Sequence, residues 1–389
     1  GSAIVAGGAA VAVTNGTVSL NAAVTQLSFT PAANYNGAAS YTYTISDGQG
    51  GTATATVSGT VNAVNDPPVA VNDSFTTNED TSVGITVKSN DSDIDGNPLT
   101  ITQVNGTAIV AGGASVTVTN GTVSLNAAGT LLTFTPAANY NGPASFTYTI
   151  SDGAGGTASA TVSGTVNAVN DPPVAVADSF GTINEDTSAT VTVKSNDSDV
   201  DGNPLTITQV NGTAIVAGGA SVTVTNGTVA LSADGNTLTF MPSANYNGPA
   251  SYTYTISDGQ GGTATATVSG TVAAVNDAPD AIDDSFTTNE DTSVSISVKS
   301  NDTDIEGNPL TVTHVNGTAI TAGGAAVAVT NGTVSLNAAG TQLSFTPSLN
   351  YNGPASFTYT VNDGAGGTDT ATVSGTVMAI NDPPVAMND

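Results

Sequence analysis

The sequence predicts an all-β chain: antiparallel β-sandwiches of about 105 residues set end to end. Three observations carry this. The first is repetition. "VNDPPVA" at 64–70 returns at 169–175, then as "VNDAPDA" at 275–281 and "INDPPVA" at 380–386. The hairpin "SDG" or "NDG" places Asp47, Asp152, Asp258 and Asp363 at the same spacing of 105 or 106 residues. The second is period two: in "SFTYTI" (145–150), Phe146, Tyr148 and Ile150 alternate with Thr147 and Thr149. The third is turn chemistry. "VTVTNGTVSL" (116–125) reads as a hairpin closed by an Asn-Gly type I′ turn, and no helical period appears. Short alternating strands separated by such turns, in units of this length, describe an Ig-like sandwich.

The repeat assigns the domains: a truncated copy at 1–66, whole copies at 67–171, 172–277 and 278–382, and the start of another at 383–389. The third copy is one residue longer, near "GTIN" (181–184). In the second copy, strands are expected at 69–75, 81–88, 98–104, 107–111, 114–119, 122–126, 131–135, 144–151 and 157–168. The odd count suits an array, because each copy must be entered at one end and left at the other; seven strands, with two neighbours merged, would satisfy the same rule. Tyr140, in "FTPAANYNG" (134–142), is expected to plug a corner as a tyrosine corner does.

Composition limits the partners. The 389 residues include three lysines (Lys88, Lys194, Lys299), no arginine, 31 acids, one histidine and no cysteine, for a net charge of −28. Nucleic acid and anionic membrane are excluded, since both require basic patches. No apolar run reaches the ~20 residues of a membrane span, and no signal peptide opens the chain. Disulfides and thiolate chemistry are ruled out. The lone His314 stands where other copies have Gln103 and Gln209, so it marks no recurring catalytic set and an enzyme is not expected.

Cations are the natural partners, and the acids sit where cations need them. Eight occupy fixed positions in every whole copy; only Asp234, Asp280, Asp283 and Asp369 fall outside that pattern. "SNDSDIDGNPL" (89–99) opens like a D-x-D-x-D-G calcium loop. Its twelfth position from Asp91 is Thr102, not the bidentate Glu of an EF-hand. Missing ligands must come from elsewhere, and strand direction says from where. The "NED" turn lies at the far end of its copy, and the D-x-D-x-D loop and the "SDG" hairpin lie at the near end.

Each junction then gathers one set of candidate metal ligands. The first holds Asn65, Asp66, Asp91, Asp93, Asp95 and Asp152. The second holds Glu79, Asp80, Asn170, Asp171, Asp197, Asp199, Asp201 and Asp258. The third holds Glu185, Asp186, Asn276, Asp277, Asp302, Asp304, Glu306 and Asp363. Carboxylates crowded in this way repel without a cation. Calcium, which takes six to eight oxygens in flexible geometry, suits them better than magnesium. Turn chemistry alone is the alternative: Asp and Asn close turns by side-chain hydrogen bonds, though that accounts poorly for three alternating carboxylates with almost no basic partner.

The motif run "DPPVA…NEDT…NDxDxDGNPLT…YNGxxSFTYTISDGxGGT" covers the whole chain. It resembles the cadherin-like tandem repeats of very large bacterial surface adhesins, including the RTX type. In cadherins a Glu, a linker "ND" and a D-x-D of the next domain share calcium. By position the resemblance implies those roles for Glu79 or Glu185, Asn170–Asp171 or Asn276–Asp277, and Asp197/Asp199 or Asp302/Asp304. The linker departs from the full cadherin D-x-N-D-N, and Glu306 replaces the third Asp. The resemblance implies an extracellular extender on a bacterial cell surface, rigidified by calcium between neighbouring repeats. Two alternatives are an adhesive module for glycans or a like protein, and the subunit of a self-assembling filament with lateral or end-to-end homotypic contacts. Few exposed aromatics are available to anchor a ligand. The one lysine per copy is expected to neutralise the acidic loop rather than to form a Lys–Asn crosslink. The "NGT" sequons at Asn15, Asn120, Asn211, Asn316 and Asn331 are expected to serve as hairpin turns.

Overall fold

A computed structural model describes residues 1–383, so the restart of the repeat over 384–389 lies outside the described residues. The chain divides into two compact units, Gly1–Asn170 and a second beginning at Asp171.

In the first unit the truncated copy forms β1 (Val11–Val13), β2 (Gly16–Leu20) and β3 (Leu27–Pro31) in one sheet, and β4 (Gly37–Ser46) with β5 (Thr52–Val61) in another. The whole copy contributes nine strands: β6 (Asp73–Asn78), β7 (Val83–Ile85), β8 (Thr100–Val104), β9 (Thr107–Ala108), β10 (Val116–Val118), β11 (Gly121–Leu125), β12 (Leu132–Pro136), β13 (Gly142–Ser151) and β14 (Thr157–Asn167). They form two layers, β6-β14-β13-β8-β9 and β7-β12-β11-β10. The inward residues of the period-two pattern fill the space between them: Phe134, Leu132, Tyr148 and Ile150 are fully buried.

Within this whole copy every strand pairing is antiparallel except one: β6 runs parallel to β14, with Phe75 opposite Gly164. The chain leaves a copy in the direction in which it entered, so its first and last strands must point the same way. Gly164 is required here, because a Cβ on it would lie 2.5 Å from the Phe75 ring.

Three expectations are corrected. The first strand starts at Asp73 rather than 69: Pro67 and Pro68 have no N–H, and Val69 makes only an isolated bridge to Ser92. The second strand ends at Ile85, where the chain winds into a 3₁₀ turn, Val87–Ser89, that drives Val87 into the core. The hairpin turn of 116–125 falls one residue early. Val118 pairs with Gly121, Asn120 takes φ +64°, and Gly121 is a strand residue whose Cβ would meet Thr135 O at 2.3 Å. The Asn-Gly turn with both φ positive is Asn105–Gly106, joining β8 to β9. Tyr140 does close its corner, donating to Pro143 O at 2.5 Å.

The second unit repeats the nine-strand plan twice, around separate cores that include Tyr254 and Tyr359. The additional residue of the third copy opens a bulge in the strand Asp178–Asn184: the register steps from Ser179–Ser269 to Gly181–Gly270, leaving Phe180 without an opposite residue, and Gly181 takes φ +71°.

Candidate metal centre at the repeat junctions

The linker 275–277, inside the second unit, is the junction that can be followed from both sides. Three consecutive linker residues each reach a different loop. Val275 N–H donates to Glu185 Oε1 of the preceding copy. Asn276 Nδ2 donates to Asp363 Oδ2 at 2.6 Å, and Asp277 N–H to Glu306 Oε2 at 3.4 Å. Asn308 Nδ2 adds a bond to Asn276 Oδ1 at 3.2 Å. The "NED" turn, the linker, the acidic loop and the "NDG" hairpin therefore meet.

Inside the loop, each aspartate uses one oxygen locally. Asp302 Oδ1 accepts Ile282 N–H at 2.9 Å and the Tyr359 hydroxyl at 2.8 Å. Asp304 Oδ1 accepts the N–H groups of Glu306 at 3.1 Å and Asn308 at 2.8 Å. The other oxygens, Asp302 Oδ2 and Asp304 Oδ2, are buried and accept nothing, as are Asp277 Oδ2 and Glu185 Oε2. An ionised carboxylate held out of water without a partner costs several kcal/mol. The one lysine of this copy does not relieve this: Lys299 Nζ donates to Leu310 O at 3.0 Å, a backbone carbonyl. Lys88 and Lys194 do the same with Leu99 O and Leu205 O. Four bare carboxylate oxygens border one linker, and the copy's lysine bonds to none of them; they are donors of the kind a hard divalent cation takes.

The junction at 64–66, inside the first unit, shows the downstream half alone. Asn65 Nδ2 donates to Asp152 Oδ2 at 2.7 Å, Asn97 Nδ2 to Asn65 Oδ1 at 2.9 Å, and Asp66 N–H to Asp95 Oδ2 at 2.8 Å. Asp91 Oδ2 and Asp93 Oδ2 are buried and bare. At the start of the second unit, Asp171 N–H donates to Asp201 Oδ2 at 2.8 Å, and Asp199 Oδ2 is bare. Asn170 closes the first unit.

Other expected ligands have different duties. Asp80 and Asp186, like their counterpart Asp291, adopt positive φ and accept the N–H groups of Asn139, Asn245 and Asn350, so they hold the corner turn. Of each "NED", the glutamate is the residue turned to the linker. Glu79, 4% exposed, accepts Val169 N–H and Asn141 Nδ2. Asp152 accepts Ala154 and Gly156 N–H groups as well as Asn65, so both its oxygens are occupied. The Asn65 bond, ahead of the backbone donors, holds its carboxyl below the usual range. Asp363 is held likewise by Asn276 and the N–H groups of 365–367; Asp258 accepts the N–H groups of Gln260 and Gly262.

Sequence reasoning missed one element. The alternating pattern places Tyr148 inward and says no more of it, yet its hydroxyl and those of Tyr254 and Tyr359 reach the first aspartate of the acidic loop. Beside them stand Asp73, Asp178 and Asp284, whose carboxyls desolvation pushes above the usual range.

The bacterial Ig domain model matches residues 2–60, 65–165, 170–271 and 276–376. The chain belongs to the bacterial Ig domain family. Its four repeats share their architecture with cadherin ectodomains. Extracellular cadherin domains 1–5 of protocadherin gamma B2 align with 86% of this chain at 16% identity and a TM-score of 0.51. This chain spans 64% of that fragment's length. Domains 22–24 of mouse cadherin-23 align with 82% of the chain and 99% of their own length at 17% identity, with a TM-score of 0.47. At such identities the likeness concerns the fold of these bacterial Ig repeats alone. No curated protein matches the sequence. No helix among the described residues is long and apolar enough to cross a membrane.

Proposed function

We propose that this chain is an extender, or stalk, segment of an extracellular bacterial adhesin or fibre, of the RTX type, in which calcium at the junctions stiffens the run of repeats. The observation that carries the reading is the set of bare, buried oxygens on Glu185, Asp277, Asp302 and Asp304 around one linker. One of these residues belongs to the preceding copy, one to the linker and two to the following copy. A cation held by all four resists any bend that separates the two copies. Bound calcium would supply the positive charge that no lysine delivers. Asp91 and Asp93 offer the same oxygens beside Asn65–Asp66. Membership of the bacterial Ig domain family supports a surface or extracellular setting, where calcium modules of ~10⁻⁴–10⁻³ M affinity are in range.

Small-angle scattering in millimolar calcium and in chelator tests the reading. A longer maximum dimension with calcium is expected, and identical profiles would sink the stiffening role. Calorimetric titration gives the number of ions.

A further inference from the structure

The repeats contain an internal comparison. At the position of Phe146 the copies carry Tyr41, Phe146, Tyr252 and Phe357, so a hydroxyl is optional there. Where it occurs in a whole copy it does nothing: Tyr252 is 2% exposed and its hydroxyl has no partner. Two residues on, every copy carries tyrosine: Tyr43, Tyr148, Tyr254 and Tyr359. In the three whole copies this ring is fully buried, yet its hydroxyl emerges under the acidic loop.

Tyr148 lies 2.8 Å from Asp91 Oδ1, an oxygen that also accepts Val71 N–H at 2.8 Å. Tyr359 repeats this on Asp302 Oδ1, together with Ile282 N–H. In both copies Oδ2 of the same aspartate is left buried and bare. In the third copy Tyr254 lies 3.0 Å and 3.1 Å from the two oxygens of Asp197, and 3.1 Å from Asp178 Oδ2. That Asp178 begins the bulged strand.

We propose that Tyr148, Tyr254 and Tyr359 are positioning residues for the junction cation: each phenol anchors the first aspartate of its acidic loop to the core, and in the outer two copies this leaves Oδ2 as the oxygen offered to the ion. The inference rests on the calcium reading above. Two donors on Oδ1 fix the carboxylate's rotation before any ion arrives. The ligand is then preorganised by a residue of the sandwich core rather than by the loop. Partners of this kind, one bond behind a metal ligand, change affinity by about 10–100-fold when removed.

The test compares Tyr359→Phe with Tyr351→Phe in the full chain. Both lose one phenol; Tyr351 donates to Pro354 O in the corner turn instead. Calcium titration of Y359F is expected to show one class of site weakened about tenfold, with Y351F matching wild type. In chelator, hydrogen exchange of the Ile282 amide should quicken in Y359F alone, because the carboxylate it donates to is free to rotate. A wild-type isotherm and unchanged Ile282 exchange in Y359F would overturn the positioning role, as would equal weakening in Y351F. If wild type binds no calcium, the calcium reading fails instead, and Ile282 exchange alone decides whether the phenol anchors Asp302.

Discussion

Asn276 Nδ2 donates to Asp363 Oδ2 at 2.6 Å across 87 residues of sequence, and Asn65 makes the same bond to Asp152 at 2.7 Å. The linker asparagine is thereby clamped to the hairpin of the copy that follows it. No ion is needed for this contact. These two junctions thus have two parts, a direct clamp and a group of carboxylates of the kind a cation takes.

Asn276→Ala should loosen the clamp without emptying the core. Asp363 loses the donor that does most to hold its carboxyl low, so its midpoint should rise in a carboxyl NMR titration. The sign for stability follows. A carboxyl lowered in the folded state stabilises fully above its unfolded value, about 3.9. That contribution disappears as pH falls through the lower, folded value. Thermal unfolding in chelator should show a lower Tm for N276A at neutral pH, with the gap to wild type closing in acid. An unchanged Asp363 midpoint would contradict the clamp.

Calcium removal should destabilise the copies that share a junction. At ten times its Kd, an ion contributes about 1.4 kcal/mol per site by mass action. Calorimetric unfolding with calcium and with chelator reads this directly, and Glu185→Gln should diminish the difference. A Tm indifferent to calcium speaks against the carboxylate cluster as a metal centre.

Gly375→Ala should cost its copy about 1–3 kcal/mol by overpacking, because the added Cβ would lie 2.5 Å from Phe286 Cδ1 and from Phe286 O. Gly59 occupies the matching position in the truncated copy and has no atom within 4 Å of a Cβ. Gly59→Ala should stay within about 0.5 kcal/mol of wild type. Denaturant melts of the two variants separate the roles.

Tyr140→Phe removes the corner bond to Pro143 O and should cost about 0.5–1.5 kcal/mol. Tyr140 makes no bond to the acidic loop, so calcium titration of this variant should overlay that of wild type.

The strands were legible because alternation and turn residues are local. "SFTYTI" could lie only with Phe146, Tyr148 and Ile150 inward, and it does so in β13. The errors came where a non-local partner decides. Val69 and Val71 have β-forming side chains, but the parallel partner β14 pairs only from Asp73. Gly121 looked like a turn residue, and its smallness answers instead to Thr135 O and Phe134. The same limit applies to the acids. Their spacing placed Asp91, Asp93 and Asp95 in one loop. It did not tell that Asp80 caps a corner, that Asp152 has both oxygens occupied, or that Asp95 is tied to the linker backbone.

The sequence by itself determined the repeat, the all-β class, an odd number of strands in a copy and the turns on which the acids ride, since each follows from residue type, period and the direction of the array. The tertiary structure decided which carboxylate oxygens are bare. That depends on donors brought in from distant segments: an asparagine 87 residues before its aspartate, a linker N–H 90 residues after its glutamate, a phenol 57 residues beyond the loop it supports. Hydrogen-bond saturation is a property of the assembled neighbourhood. No spacing along the chain encodes it.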